Sequence, residues 1–129
     1  MKRILLFILV AVFTATILAY AADEAKQPLR PAQQIMQTRA ALLQGMNKDL
    51  AAGKFEAVAK SADAMAMETK TSGAKLPNPQ AKDITLAISV LSKEVSDAAA
   101  KKDAPMVKTK LVAIKGKCDE CHVNIRNIK

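Results

Sequence analysis

The chain of 129 residues is poor in aromatic residues, cysteine and histidine. It contains three Phe, one Tyr and no Trp, and it has two cysteines and a single histidine. A four-ligand zinc site built from Cys and His would therefore lack one ligand. Two histidines of the same chain cannot ligate one metal centre, since there is only one. No segment shows the pattern of a β-strand, so a thioredoxin-like dithiol, which needs a βαβ context, is not favoured.

The first 21 residues have the composition of a secretory signal. A basic start and an apolar run up to Leu18 precede Ala19-Tyr20-Ala21, which has the small residues of a cleavage site. A retained membrane anchor is the alternative, but the apolar run is shorter than the ~20 residues that a spanning helix needs. We therefore expect a signal peptide at residues 1–21, export to the periplasm, and one domain at 22–129 with no stable membrane insertion.

Apolar residues at helical spacing predict four helices and no strands. They cover about residues 32–51, 54–70, 82–100 and 105 to the C-terminus, with the longest loop at 71–80. Asp103 is a good N-cap for the fourth helix. Short connections between helices predict an all-α, up-down-up-down antiparallel four-helix bundle. In that topology the start of the first helix lies beside the end of the fourth.

The last helix ends in the pentapeptide Cys118-Asp119-Glu120-Cys121-His122, a C-x-x-C-H haem-attachment signal. On a helix, Cys118 and Cys121 share one face, so both thiols can add to the two vinyl groups of one haem. His122 follows directly, and its imidazole can ligate the iron. The cysteines continue the apolar seam of their helix, so we expect one covalently attached haem c inside the bundle.

A resemblance to a known family accompanies this motif. With Arg126 four residues after His122, and with the segment Ile35–Arg39 in the first helix, the chain resembles the class II c-type cytochromes, cytochromes c′ and c-556. Its loop spacing is closer to the related b-type bundle, cytochrome b562, and it has Ile125 where the family usually has an aromatic residue. The resemblance implies a haem-containing bundle that often forms homodimers through its first two helices.

The second axial position is open to two interpretations. Met36 lies 17 residues before Gly53, about 25 Å along the first helix, and His122 lies 19 residues after Asp103, about 28 Å along the fourth. The turns near Gly53 and Asp103 are at the same end of the predicted bundle, so the two heights nearly match. The other methionines fit this height less well, which makes Met36 the predicted ligand. The resemblance instead assigns the position facing the iron to Leu43, four residues after Arg39. Leucine cannot ligate, and relatives with an apolar residue there keep a five-coordinate haem that binds gases.

Two arginines complete the candidate cofactor-binding residues. Arg39 and Arg126 lie near the predicted level of the haem, where either can pair with a propionate through a charge-assisted hydrogen bond. The alternative for each is an ordinary solvated surface arginine.

The function that we predict is single-electron transfer through a low-spin His/Met haem, and not catalysis. The alternative is binding of NO or CO at a five-coordinate haem. The formal net charge of +8 falls to +6 when Lys2 and Arg3 leave with the signal. A basic surface of this kind suits redox partners with an acidic docking face. Nucleic acid is not an expected partner, because the chain is exported and its lysines are scattered over every helix.

Overall fold

The computed structural model describes residues 30–126 of the chain. The predicted signal peptide and the first residues of the predicted mature chain lie outside this range. Four helices follow one another, with a π-helical segment directly after the last of them. They are α1 (Pro31–Ala51), α2 (Phe55–Ala74), α3 (Pro79–Ala100), α4 (Ala104–Cys121) and the segment His122–Arg126.

The helices pack against each other, and no strand occurs in the described range, so the all-α prediction is confirmed. Contacts between α2 and α3 show that these two helices are antiparallel. Gly73, near the end of α2, lies close to Thr85 of α3. Ala66, earlier in α2, accepts a hydrogen bond from Ser89, and Asp63, earlier still, pairs with Lys93. Residues earlier in α2 therefore contact residues later in α3. Short connections at 52–54, 75–78 and 101–103 favour the same relation between the other neighbours.

Two units are distinguished along the chain, Met1–Gln34 and Ile35–Lys129. Within the described part of the first unit, the Arg30 backbone N–H donates to the side-chain oxygen of Gln33 at 3.0 Å. The second unit contains the rest of α1, the other helices and all the predicted site residues. No helix in the described range is both long enough and apolar enough to cross a membrane.

Side-chain caps and proline set the starts of α3 and α4. The Asn78 side chain accepts a hydrogen bond from the backbone N–H of Ala81, and Pro79 is the first residue of α3. Asp103 accepts from the backbone N–H of Met106 at 3.0 Å, so the predicted N-cap of α4 is confirmed. Such caps satisfy N–H groups that have no partner inside the helix.

The predicted loop at 71–80 is wrong in its first half, because α2 continues through Ala74. Gly73 lies inside the helix and is buried, where it permits a close approach to α3. A Cβ added at Gly73 would lie 3.1 Å from the Thr85 side chain and 3.2 Å from that of Leu86. The favourable packing of α2 on α3 therefore outweighs the low helix propensity of glycine.

The most deeply buried part of the core lies between the second half of α1, the first half of α2, the second half of α3 and the first half of α4. Its members are apolar side chains that are almost fully excluded from solvent, among them Met46, Val58, Ala62, Val95, Val107, Leu111 and Ile114. The α4 seam predicted from the sequence continues beyond Ile114, but Cys118, Cys121 and Ile125 are only half-buried and pack against the edge of the core.

Helix α1 joins the bundle mainly through side chains. Backbone approaches within 8 Å are concentrated between α2 and α3 and between α3 and α4, and α1 belongs to neither group. Of the α1 side chains, Arg39 and Met46 are buried. Met36, which the sequence places on the inward stripe of α1, is 40% exposed. The first half of α1 is therefore less tightly packed than its second half.

A matched pair of valines on α4 tests this assignment of the core. Val107 is fully buried, whereas Val112 on the same helix is 64% exposed. We expect Val107→Ala to lower the free energy of unfolding by about 1–3 kcal/mol, because it removes buried methyl groups and leaves a cavity. Val112→Ala makes the same chemical change on the surface and should stay within about 0.5 kcal/mol of the parent. The free energies of unfolding of both variants can be measured by urea unfolding. Equal losses of stability would contradict the assignment of Val107 to the core.

Candidate functional site

A cavity of about 210 Å³ is lined by residues of all four helices and the first residue of the π-helical segment. Six of the seven predicted site residues line it: Met36, Arg39, Leu43, Cys118, Cys121 and His122. The seventh, Arg126, is the last residue of the π-helical segment. The fold thus brings residues from the start of α1 and from the end of α4 to one cavity, although they are about 80 positions apart in the chain.

The last turn of α4 directs the C-x-x-C-H residues to the cavity. Cys118 and Cys121 are both free thiols and both half-buried, as expected for positions three apart on one helix face. Cys121 is the last residue of α4, and His122 begins the π-helical segment. The backbone N–H of His122 donates to the carbonyls of Cys118 and Asp119, so the chain continues without a break from the thiols to the imidazole.

Two ion pairs involve residues of this turn, and Lys115 and Asp119 of the first pair also line the cavity. The Lys115 ammonium lies 2.6 Å from Asp119, and the Lys117 ammonium lies 2.7 Å from Glu120. The hydrogen bond to Asp119 raises the pKa of Lys115. Exposed ion pairs of this kind stabilise a helix only slightly.

Burial raises the pKa of the Cys118 thiol. Removal from water disfavours the thiolate, and the nearby Asp119 carboxylate acts in the same direction. The positive charge of Arg39 opposes them and lowers the pKa. Arg39 on α1 therefore acts electrostatically on Cys118 of α4, and the two residues line the same cavity.

Arg39 is not a solvated surface residue. Only 8% of it is exposed, and its guanidinium is bound by two residues of α2. Its Nε donates to Glu68 Oε2 at 2.7 Å, and its Nη2 donates to Glu68 Oε1 at 3.1 Å and to Ser72 Oγ at 2.6 Å. The predicted alternative of a solvated arginine is wrong for this residue, because the carboxylate and the hydroxyl together satisfy a guanidinium removed from water.

Glu68 and Ser72 were not predicted from the sequence as part of the site. They lie one helical turn apart on α2, which is a weak signal that they share a face. Nothing in the sequence relates that face to Arg39, because the register of α1 against α2 is set by tertiary packing.

The side of the cavity facing the cysteines contains both candidates for the second axial position. Met36 and Leu43 both line the cavity and lie about two helical turns apart on α1. Leu43 is half-buried, whereas Met36 is 40% exposed. Met65 of α2 also lines the cavity and is only 1% exposed. Thr85 and Ile88 of α3, both buried, also line the cavity.

The donor set of the cavity fits a haem better than a bare metal ion. Within residues 30–126 no group of three or more His, Cys, Asp or Glu side chains is arranged to hold a metal ion. A haem brings its own four equatorial nitrogens and needs from the protein only one or two axial ligands. Two thiols beside one imidazole, on the wall of a mainly apolar cavity, are the groups that attachment of a c-type haem uses.

Comparisons of the chain with protein-family models, with curated proteins and with solved structures gave no significant match.

The raised pKa of Cys118 predicts the reactivity of this thiol in the haem-free protein. In a Cys121→Ser background, alkylation by iodoacetamide at pH 8 should be slower in the folded chain than in urea, because a smaller fraction of Cys118 is thiolate. The midpoint of the rate against pH should lie above the ordinary thiol value.

Asp119→Asn provides the control for the electrostatic part of this prediction. Removing the nearby negative charge should move the midpoint for Cys118 to lower pH. In the Cys121→Ser protein with Asp119 intact, a midpoint at or below that of the denatured chain would contradict the burial of the thiol.

Proposed function

We propose that this chain is an exported mono-haem c-type cytochrome that carries single electrons between redox partners. The observation that supports the proposal most strongly is the convergence of the C-x-x-C-H residues and Met36 on one cavity within the helical bundle. In this proposal Cys118 and Cys121 attach the haem through two thioether bonds, and His122 and Met36 are its axial ligands.

The lining of the cavity agrees with an apolar ligand, because most of the surface that lines it is apolar. The predicted mature chain has Phe55 as its only aromatic residue, so a flat conjugated group in the cavity would supply bulk that the side chains do not.

When bound, a haem supplies a one-electron couple, and the residues around it determine which reactions are accessible. A histidine and a methionine together leave no axial position free for an exogenous ligand, and methionine raises the reduction potential. Helices hold both side chains, so the ligand geometry can stay similar in the two oxidation states.

The proposed setting is the periplasm, reached through a cleaved signal at residues 1–21. The net charge of +6 expected for the mature chain favours docking with an acidic face of a redox partner. We place the chain by resemblance among the class II c-type cytochromes, with an up-down-up-down bundle. A homodimer is the oligomer that this resemblance suggests.

Binding of NO or CO at a five-coordinate haem is a second candidate function. Two observations favour it: Leu43 lines the cavity, and Met36 is partly in solvent rather than enclosed. In this alternative His122 is the sole protein ligand, and Leu43 shapes an apolar pocket on the opposite side of the iron.

Optical spectra of the haem protein distinguish the two functions. For electron transfer we expect low-spin spectra in both oxidation states and no response of the reduced protein to CO. Met36→Ala should then give a high-spin protein that binds CO. Met67→Ala is the matched control, because Met67 is 73% exposed and does not line the cavity. A parent protein that is high-spin and binds CO at once would contradict the proposal of electron transfer and support gas binding.

Covalent attachment is tested separately, by co-expression with a c-type cytochrome maturation system. Acidified acetone should leave the haem on the parent protein, because thioether bonds are not broken by the extraction. A Cys118→Ala/Cys121→Ala double variant should lose all its haem under the same conditions. Loss of haem from the parent as well would contradict the proposal that these cysteines attach it.

A further inference from the structure

In the half of α1 that lines the cavity, Arg39 contacts α2 through a charged cluster with Glu68 and Ser72. Glu68 receives two hydrogen bonds from the Arg39 guanidinium, at 2.7 and 3.1 Å, and Ser72 Oγ receives a third at 2.6 Å. The Arg39 side chain is 9% exposed and that of Glu68 is 26% exposed. A bidentate arginine–carboxylate pair fixes the relative orientation of the two side chains as well as the distance between them.

Apolar packing holds the other half of α1. Met46 is fully buried in the core, about two helical turns beyond Arg39. Near the cavity the apolar contacts are weaker, because Met36 is 40% exposed and Leu43 only half-buried. The position of the cavity-lining half of α1 thus depends on Arg39 to a degree that its second half does not.

We infer that Glu68 is a positioning residue, which holds the α1 wall of the cavity in place through Arg39 and so restricts the access of small ligands to the haem. This inference rests on the proposed function. In Glu68→Gln the buried guanidinium keeps only neutral oxygens as acceptors, and desolvation then drives it towards water. Its release removes a connection between α1 and α2, so the part of the α1 backbone that carries Met36 and Leu43 is less restrained.

A purely electrostatic role for the pair makes a different prediction, and two variants separate the roles. Glu68→Gln removes a negative charge near the cavity, whereas Arg39→Met removes a positive charge and keeps a long apolar side chain. If charge alone matters, the two variants change the haem site in opposite directions. If position matters, both loosen α1 and change ligand access in the same direction.

The first measurement is the association rate of CO with the reduced haem protein in a Met36→Ala background. In that background no methionine at position 36 competes for the iron, whichever of the two candidate functions holds. We expect Glu68→Gln and Arg39→Met each to accelerate CO association by at least about fivefold. Opposite changes, or rates within about twofold of the background, would overturn the inference.

Glu94→Gln is the matched control. Glu94 on α3 also accepts an ion pair from a neighbouring helix, at 2.8 Å from the Lys110 ammonium, and neither residue lines the cavity. This variant loses the same charge and should leave the CO rate within about twofold of the background. A rise equal to that of Glu68→Gln would mean that any lost interhelical pair loosens the bundle.

Hydrogen exchange of the backbone amides tests the positioning role without haem. In the haem-free chain, Glu68→Gln should accelerate exchange at residues 36–43 by at least about fivefold and leave residues 46–50 nearly unchanged. Glu94→Gln should change neither segment of α1.

The exchange result also separates failure of the inference from failure of the proposed function. If no haem attaches to the chain, the proposed function fails, and exchange at residues 36–43 still decides whether Glu68 positions α1. If haem attaches but these amides are unaffected by Glu68→Gln, the proposed function stands and the positioning role is overturned.

Discussion

The burial of Arg39 against Glu68 and Ser72 joins the α1 wall of the cavity to α2. An arginine that is 8% exposed is stable only when carboxylate and hydroxyl oxygens replace the water that its guanidinium has lost. The bond joins α1 to α2, and through α1 it relates Met36 and Leu43 to the cysteines across the cavity. The same arginine is close enough to Cys118 to lower the pKa of its thiol. One side chain therefore links three helices electrostatically.

The bundle has two regions that differ in what holds them together. In one region, side chains such as Val58, Val95 and Ile114 are fully excluded from solvent and fill the space between α2, α3 and α4. In the other, the helices enclose a cavity whose walls combine apolar groups with two thiols, an imidazole and the buried arginine. Hydrophobic burial stabilises the first region. The two regions meet at Met65 and Ile88, which belong to the core and also line the cavity.

Much of the fold could be predicted from the sequence because its signals are local. Helical spacing of apolar residues, the Asp103 cap and Pro105 defined the helices to within a few residues. The error at residues 71–74 arose where glycine was interpreted as a loop residue, although Gly73 permits close contact between α2 and α3. The exposure of Met36 was missed for a related reason. Helical periodicity predicts which residues lie on one face of a helix. It does not predict the distance between that face and the neighbouring helix.

For the candidate site, the sequence predicted the chemistry and the tertiary structure determined the neighbours. Cys118, Cys121 and His122 could be proposed as a haem-attachment motif from the sequence because their relation depends only on the geometry of one helix. Local signals likewise put Met36 and Leu43 on one stripe of α1. Only the packed bundle decided that these residues line one cavity with Met65, Thr85 and Ile88, and that Glu68 and Ser72 bind Arg39. The reason is physical: the relative register and separation of two helices depend on how all their side chains pack together, and no single segment carries that information.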